Sequence, residues 1–344
     1  MSDAPFHLAP DFDPSAAERT AEIEIDAFRT HAEEVLAEVS RAVVGQERVV
    51  REVLTAILAG GHVLLEGVPG LGKTLLVKSM ATALGLGYSR VQCTPDLIPA
   101  DITGTNVLME SEGGSRTIRF QPGPIFHSVV LADEINRATP KTQSGFLEAM
   151  EERQVTVAGT TYPLPLPFIV LATQNPIELE GTFPLPEAQI DRFLFKVVID
   201  YPGRHDLIRI AGETTGPDRV DLRSVLSAHQ LVAMQQVARH VPIATDMLET
   251  ASSIVQATHP SDPEATEPVR RFVRFGASPR AVQALVLGAK VNALMAGRLH
   301  VSRADLATAL RPALCHRVLL NFEAGTSEVG IEQILTGLRE AFLS

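Results

Sequence analysis

The sequence lacks tryptophan, contains only 2 cysteines and has few aromatic residues of any kind, 5% of its 344 residues. Cys93 and Cys315 are far apart and fit no metal-binding spacing, so we expect two reduced thiols in the core of a cytoplasmic protein. The longest apolar helical stretch, near residues 281–296, contains Lys290 and is too short and too polar to span a bilayer. The first residues form neither a basic nor an apolar segment, so we expect no signal peptide and no membrane insertion.

An excess of positive charge is also lacking. The formal net charge is −11, with 30 Lys and Arg against 41 Asp and Glu, and the isoelectric point is about 5.4. Binding to nucleic acid or to an anionic membrane depends on basic surface, so the composition disfavours both. The chain does contain ample apolar material, 45% of its residues, and its length is typical of about two domains. We therefore expect a soluble protein that interacts with other proteins.

One stretch points directly to phosphate binding. Residues 67–74 read GVPGLGKT and fit the pattern G-x-x-x-x-G-K-[ST], between a short apolar run typical of a buried strand and a helical pattern. Its glycines let backbone N–H groups bind phosphates at the positive end of a helix, which makes an ordinary glycine-rich turn the weaker interpretation. Lys73 would neutralise phosphate charge, and the Thr74 hydroxyl would bind Mg²⁺. The predicted binding residues are Gly67, Val68, Pro69, Gly70, Leu71, Gly72, Lys73, Thr74 and Leu75.

Polar residues end two further strand candidates. The run VVLA is followed by Asp133 and Glu134, and ligands bind at the carboxyl ends of parallel strands. There Asp133 can hold Mg²⁺ through water, and Glu134 can orient or deprotonate an attacking water. The run FIVLATQ is followed by Asn175, which could position that water or simply form a turn before Pro176. The residues alone leave both interpretations of Asn175 open.

The predicted secondary structure changes near residue 203. Before it, strands alternate with helices, which predicts an α/β core with a parallel sheet covered on both faces. After it, helical periods dominate. We predict a disordered tail over residues 1–20, an α/β core over 21–203 and a smaller all-α region over 204–344. Alternating apolar and polar residues predict inserted hairpins at about 105–120 and 154–164.

Taken in order, the short motifs resemble the AAA+ ATPases and, within them, the MoxR family, in the clade that also contains magnesium-chelatase ATPase subunits. The match covers residues from about 40 to 320, and DEINRA, PKTQ-x-x-x-LEAMEE and PEAQ-x-DRF are its most specific parts. The motifs are VGQE (44–47), GVPGLGKT (67–74), LADEINRATPKTQSGFLEAMEE (131–152), ATQNP (172–176), LPEAQIDRF (185–193) and GASPRA (276–281).

The resemblance implies a fold and an adenine site. The fold is a P-loop AAA+ core, with a five-stranded parallel sheet between helices, followed by a smaller all-α lid domain. VGQE would pack against the adenine, with Val44 and Gln46 nearest to it and Gly45 between them. The two hairpins are similar to the helix-2 insert and the pre-sensor-1 hairpin of this clade.

The resemblance also gives roles to three polar residues. Asn175 is similar to the sensor-1 asparagine, Arg192 to the arginine finger that enters the neighbouring subunit's site, and Arg280 to the sensor-2 arginine. Because the lid is displaced in this clade, the sequence leaves open whether Arg280 acts in its own site or a neighbour's. By residue type alone, an arginine beside Asp191 more often forms a surface ion pair. The predicted catalytic set is Lys73, Glu134, Asn175, Arg192 and Arg280.

From this resemblance we expect an ATPase that uses ATP and Mg²⁺ and works as a homo-oligomeric ring, in this family a hexamer. Its output would be chaperone-like remodelling, or insertion of a metal cofactor, in a partner with a von Willebrand factor A domain. The alternative is a slow-hydrolysing, nucleotide-dependent assembly switch or scaffold. A nucleic-acid helicase is disfavoured by the acidic isoelectric point and the lack of basic and aromatic tracts.

Overall fold

The computed structural model describes residues 14–110, 116–177, 181–215 and 220–344. Residues 1–13 of the tail predicted for residues 1–20 therefore lie outside the described residues. Beyond that point the structure differs from the prediction, because the first helix begins at Pro14 and not at Thr20. Proline suits the first turn of a helix, and the alanines and glutamates after it are good helix formers, so the sequence supports the earlier start.

Helices and strands follow one another through the described ranges. The helices are α1 (Pro14–Ser40), α2 (Glu47–Leu58), α3 (Lys73–Ala83), α4 (Pro99–Thr103), α5 (Pro140–Glu152), α6 (Glu187–Ile190), α7 (Arg204–Thr214), α8 (Ala228–His240), α9 (Thr245–Gln256), α10 (Glu267–Phe272), α11 (Pro279–Met295), α12 (Arg303–Leu314), α13 (Phe322–Thr326) and α14 (Ile331–Leu343). The strands are β1 (Val63–Glu66), β2 (Tyr88–Gln92), β3 (Gly104–Glu110), β4 (Arg116–Pro122), β5 (Val129–Asp133), β6 (Gln154–Val157), β7 (Thr160–Pro163), β8 (Ile169–Gln174), β9 (Phe195–Val198), β10 (Val273–Phe275) and β11 (Leu319–Leu320).

Five strands form one sheet in the order β2-β5-β8-β1-β9, and every neighbouring pair is parallel. This confirms the predicted α/β fold with a five-stranded parallel sheet. The order makes β5, β8 and β1 neighbours, so the segments that follow their carboxyl ends emerge side by side. At the far edge, Gln92 at the end of β2 is paired with Asp133 at the end of β5.

Helices cover both faces of the sheet. Leu65 of β1 packs in a large apolar cluster that includes Leu54 of α2 and Leu76 of α3. Its neighbour Leu64 points to the other face, into a second cluster with Phe146 of α5. This alternation along one strand, with apolar residues on both sides, is typical of a fully buried parallel sheet.

Among the described residues from Arg204 onward, the elements are helices and one short antiparallel pair of strands, β10–β11. Helix α11 packs against α1, α2, α8, α9 and α12, so the apolar cluster on one face of the sheet continues into these helices. The division into a core of residues 21–203 and a lid of residues 204–344 stays a prediction. Across the described ranges, no helix combines the length and apolar character needed to cross a membrane.

Two antiparallel hairpins lie close to the predicted positions. They are β3–β4 and β6–β7. The rings of Phe120 and Tyr162 stack between them, with centroids 4.1 Å apart and an interplanar angle of 15°. The residues between β3 and β4, 111–115, lie outside the described residues.

Candidate nucleotide-binding site

The loop between β1 and α3 has a backbone that glycine makes possible. Gly70 has φ 86° and Gly72 has φ 77°, in the left-handed region that other residues rarely adopt. A Cβ placed on either glycine would meet nothing within 4 Å. The loop therefore presents an open face to a ligand at the amino end of α3, where backbone N–H groups and the helix dipole favour an anion.

A cavity of about 360 Å³ lies over this loop. Lys73 closes back on the loop, since its Nζ donates to the carbonyl oxygens of Gly67 at 2.6 Å and Val68 at 2.9 Å. The cavity combines segments that follow β1, β5 and β8, as the strand order requires. Its lining residues are Pro69, Gly70, Leu71, Gly72, Lys73, Thr74, Asp133, Glu134 and Asn175.

Asp133 is a buried carboxylate with several partners. Its Oδ1 accepts a hydrogen bond from Thr173 Oγ1 at 2.6 Å. Its Oδ2 accepts from Arg90, with Nε at 2.9 Å and Nη2 at 2.7 Å, and faces Thr74 Oγ1 at 3.4 Å. Mg²⁺ in nucleotide sites takes one or two protein oxygens together with phosphates and waters, and Thr74 and Asp133 offer such a pair. The donor set therefore fits Mg²⁺.

Glu134 has an unusual backbone for a glutamate, with φ 57°. A left-handed conformation costs free energy for a residue other than glycine, and such residues concentrate at functional sites. Its N–H donates to Thr173 Oγ1 at 2.7 Å. Its Oε2 accepts from Gln92 Nε2 at 2.9 Å and from Arg137 Nη1 at 3.2 Å. Glu134 is therefore held by three neighbours on different elements: Thr173 binds its backbone N–H, and Gln92 and Arg137 bind its carboxylate.

The VGQE segment contacts the phosphate loop beside a second cavity of about 200 Å³. Gln46 Nε2 donates to the Leu71 carbonyl at 2.9 Å, and Gln46 Oε1 is buried with no hydrogen-bond partner in the described part of the chain. Gly45 and Gln46 line this cavity, whereas Val44 is buried in the core and Leu75 is exposed on α3. The cavity walls are Gly45, Gln46, Glu47, Arg48, Val49, Asp200, Tyr201, Pro202, Gly203 and Asp206.

The two arginines singled out by the sequence lie elsewhere, and together. Arg192 Nη2 and Arg280 Nη2 each bind one oxygen of Glu151, both at 2.8 Å, and Arg192 Nη1 also donates to the Leu147 carbonyl. Because Phe195 of β9 is paired with Val63 of β1, Arg192 lies at the amino ends of the strands. The phosphate loop follows the carboxyl end of β1, so the arginine pair and the phosphate loop lie at opposite ends of the strands.

The arginine pair lines its own cavity of about 240 Å³, which is bordered by four arginines and two carboxylates. The imidazole of His62 also lines it. Burial lowers the pKa of His62 to about 4, and its Nδ1 accepts from the Val170 N–H while Nε2 faces the Met150 carbonyl. His62 is therefore neutral at pH 7, so the arginines give this cavity a net positive charge suited to an anion.

Both cysteines are free thiols. Burial raises the pKa of Cys93 to about 12 and that of Cys315 to about 11. Since the thiolate is the reactive form, the raised pKa values make both thiols unreactive at neutral pH, Cys93 in the core and Cys315 partly buried.

Two segments match known protein families. Residues 62–195 match the ATPase family associated with various cellular activities (AAA), and residues 267–336 match the AAA lid domain. The fold and the site therefore define an ATPase core of the AAA class with its helical lid.

Relatives that match most of the chain identify the family within the AAA class. The chain is 39% identical over 334 residues to a Mycobacterium tuberculosis protein named Chaperone MoxR1, covering 97% of this chain and 85% of that one. It is 33% identical over 300 residues to Protein MoxR of Methylorubrum extorquens, covering 82% and 86%. The chain belongs to the MoxR family. A crystal structure of a candidate ATPase from Cytophaga hutchinsonii superposes with a TM-score of 0.86 at 35% identity, covering 94% of this chain and 98% of that one.

Proposed function

We propose that this MoxR-family protein is a Mg²⁺-dependent ATPase that works as a homo-oligomeric ring, a hexamer, and remodels partner proteins. One observation carries the ATPase proposal. The phosphate loop, Asp133, Glu134 and Asn175 line a single cavity, although they come from three separate stretches of sequence.

Each residue of this cavity has a task in hydrolysis. The loop N–H groups and Lys73 bind the phosphates, and Thr74 and Asp133 hold Mg²⁺, which when bound neutralises phosphate charge. Glu134 accepts the proton of the attacking water, and Asn175 holds that water in place. The cavity beside Gly45 and Gln46 takes the nucleotide base.

The arginine pair supports a ring. Arg192 and Arg280 lie at the amino ends of the strands, opposite their own phosphate loop. The side chains of Arg192, Arg280 and Glu151 are between 31% and 43% exposed, so a second subunit can reach them. We assign both to the nucleotide of a neighbouring subunit, where a guanidinium stabilises the charge that develops on the transferred phosphoryl group. We therefore propose that Arg280 acts in the neighbour's site and not in its own.

Lys73→Ala should abolish ATP hydrolysis, because the phosphates lose their charge partner inside the cavity. Chelation of Mg²⁺ with EDTA should have the same effect on the unmodified protein. The matched control is Lys78→Ala, which removes an exposed lysine from the same helix and should keep full turnover. Phosphate release measures the turnover of each sample, and equilibrium binding shows whether ATP is still bound. Unchanged turnover in Lys73→Ala would contradict the ATPase proposal, and a wild type too slow to measure with or without partner would favour the assembly switch.

The hairpins offer a partner surface. Leu108 and Ile118 are paired across β3–β4 on one face of the hairpin and are 63% and 73% exposed, and Met109 is exposed on the other face. Exposed apolar groups of this size next to one another are typical of protein-binding surfaces. We propose that a partner with a von Willebrand factor A domain binds this surface. ATP hydrolysis would then drive remodelling of that partner, or insertion of a metal cofactor into it. The partner class comes from the family resemblance.

The double variant Leu108→Ser/Ile118→Ser should keep basal ATP turnover within about twofold and lose partner binding, since most binding energy resides in a few apolar anchors. The control is Thr105→Ser/Thr117→Ser, which changes exposed polar positions of the same hairpin. A neighbouring gene that encodes a von Willebrand factor A domain supplies the partner, and binding is measured by calorimetry. Unfolding of the double variant, or partner binding equal to wild type, would remove this surface from the proposal.

A further inference from the structure

Arg317 is an almost fully buried charge in the loop after α12, with a side chain 3% exposed. A guanidinium has five N–H donors, and here all five have acceptors. Nε donates to Asp191 Oδ1 at 2.7 Å. The other four donate to the carbonyl oxygens of Asp191 at 2.9 Å, Phe193 at 2.7 Å, Leu194 at 3.0 Å and Ala313. Four of the five acceptors therefore belong to the segment 191–194.

These acceptors surround the position of Arg192. The carbonyls of Asp191 and Phe193 lie on either side of it in the chain, and one nitrogen of Arg317, Nη2, binds both. His316 Nε2 approaches the same Phe193 carbonyl at 3.1 Å. The backbone that carries Arg192 is thus fixed from the helical C-terminal region and not only by its own strand.

The same network reaches Arg280. Both oxygens of Asp191 accept from Ser278 Oγ, at 2.9 and 2.8 Å. Ser278 is the N-cap of α11, and its Oγ accepts from the Arg280 N–H at 3.2 Å. A continuous chain of hydrogen bonds therefore runs from Arg317 through Asp191 and Ser278 to the backbone of Arg280.

We propose that Arg317 is a positioning residue for hydrolysis in the neighbouring subunit. With Asp191 and Ser278 it holds Arg192 and Arg280 at a fixed separation, so that both guanidinium groups meet one phosphoryl group. The inference rests on the proposed function, in which both arginines act on the neighbour's nucleotide. Arg317 itself does not line the phosphate-loop cavity.

Stability alone accounts poorly for this arrangement. Burying an ion pair removes two charges from water, and apolar residues of similar volume often stabilise a fold equally well. A lysine offers three donors from a single nitrogen and cannot bind four separated carbonyls as the planar guanidinium does. The feature that requires an arginine is the geometry of the segment 191–194.

The test uses Arg317→Met, which keeps side-chain volume and removes the donors. Turnover should fall about 10- to 100-fold, the cost of displacing catalytic groups by about 1 Å, while KM for ATP and equilibrium ATP binding stay within about twofold. Amide hydrogen exchange should accelerate at residues 191–194 and stay unchanged at 67–74. Arg317→Lys should lie between Arg317→Met and wild type.

The matched control is Arg298→Met. It removes another ion pair of the same region, Arg298 with Asp305 at 2.7 Å, without touching residues 191–194. This variant should lower the melting temperature and keep turnover. If Arg317→Met does not fold, Ser278→Ala replaces it, with Ser302→Ala, the N-cap of α12, as its control. Equal losses of turnover in the test variant and its control would overturn the positioning role.

Subunit mixing separates this inference from the function on which it rests. Arg317→Met keeps an intact pocket, so mixing it with Lys73→Ala, whose arginines are intact, should restore activity. Arg192→Ala mixed with Lys73→Ala tests the proposed function in parallel. If only the Arg192→Ala mixture recovers, the positioning role is wrong and the ring mechanism stands. If neither mixture recovers despite proven co-assembly, the ring mechanism fails and the positioning role falls with it.

Discussion

Replacing Glu134 by glutamine should leave ATP bound and stop its hydrolysis. Glutamine has nearly the shape of glutamate and can still accept a hydrogen bond from Gln92 or Arg137, which now hold Glu134 Oε2. An amide, however, cannot take a proton from water. General-base catalysis contributes roughly 10²- to 10⁴-fold, so turnover should fall by about that factor. Steady-state phosphate release measures the loss, and equilibrium binding shows that ATP affinity is kept.

The matched control for this variant is Glu33→Gln, which changes an exposed carboxylate of α1 that does not line the cavity. It should hydrolyse ATP at the wild-type rate. Should Glu134→Gln also turn over at that rate, Glu134 is not the base. A loss of ATP binding instead of turnover would assign Glu134 to nucleotide binding.

Arg192→Ala should bind ATP normally and hydrolyse it 10³- to 10⁵-fold more slowly, the factor associated with a guanidinium supplied to the phosphoryl group. Binding is spared because Arg192 lies at the amino ends of the strands, while the phosphate loop follows the carboxyl end of β1. Turnover and binding are measured as for Glu134. The control is Arg303→Ala, an exposed arginine at the start of α12.

Mixing shows in which subunit Arg192 acts. In a mixed ring, an intact arginine from a Lys73→Ala subunit can meet an intact pocket on an Arg192→Ala subunit, so two inactive proteins should regain activity together. Activity should pass through a maximum as the mixing ratio varies. Co-assembled mixtures that stay inactive at every ratio would show that Arg192 acts within its own chain or not at all.

The parts of the site that the sequence predicts are those carried by contiguous residues. The phosphate loop needs only the strand, loop and helix around Gly67–Thr74, and Asp133 and Glu134 need only a strand end. Arg90 and Gln92 contact these carboxylates but belong to no motif, and Thr173, inside ATQNP, has no role that the motif predicts. Their placement depends on β2 and β8 lying on either side of β5, a pairing between strands far apart in sequence. Without the strand order, no local pattern distinguishes them from other polar residues.

The arginine pair shows the same limit. The resemblance to an arginine finger predicts that Arg192 acts away from its own phosphate loop. That it meets Arg280 across Glu151 could not be predicted, because α5, α11 and the segment before β9 converge only in the folded chain. The assignment of Val44 to the adenine stays a prediction. Its side chain is buried, whereas Gly45 and Gln46 line the cavity.

Glu151 gives the arginine pair a consequence for assembly. In a single subunit its carboxylate already binds both guanidinium groups and offsets part of their charge, so in the proposed ring an empty neighbouring pocket offers them no better partner. A pocket that holds a nucleotide does, because its phosphates carry more negative charge than one carboxylate. Nucleotide occupancy and subunit contact are then linked equilibria. Whatever free energy bound nucleotide adds to ring closure, ring closure must add to nucleotide binding.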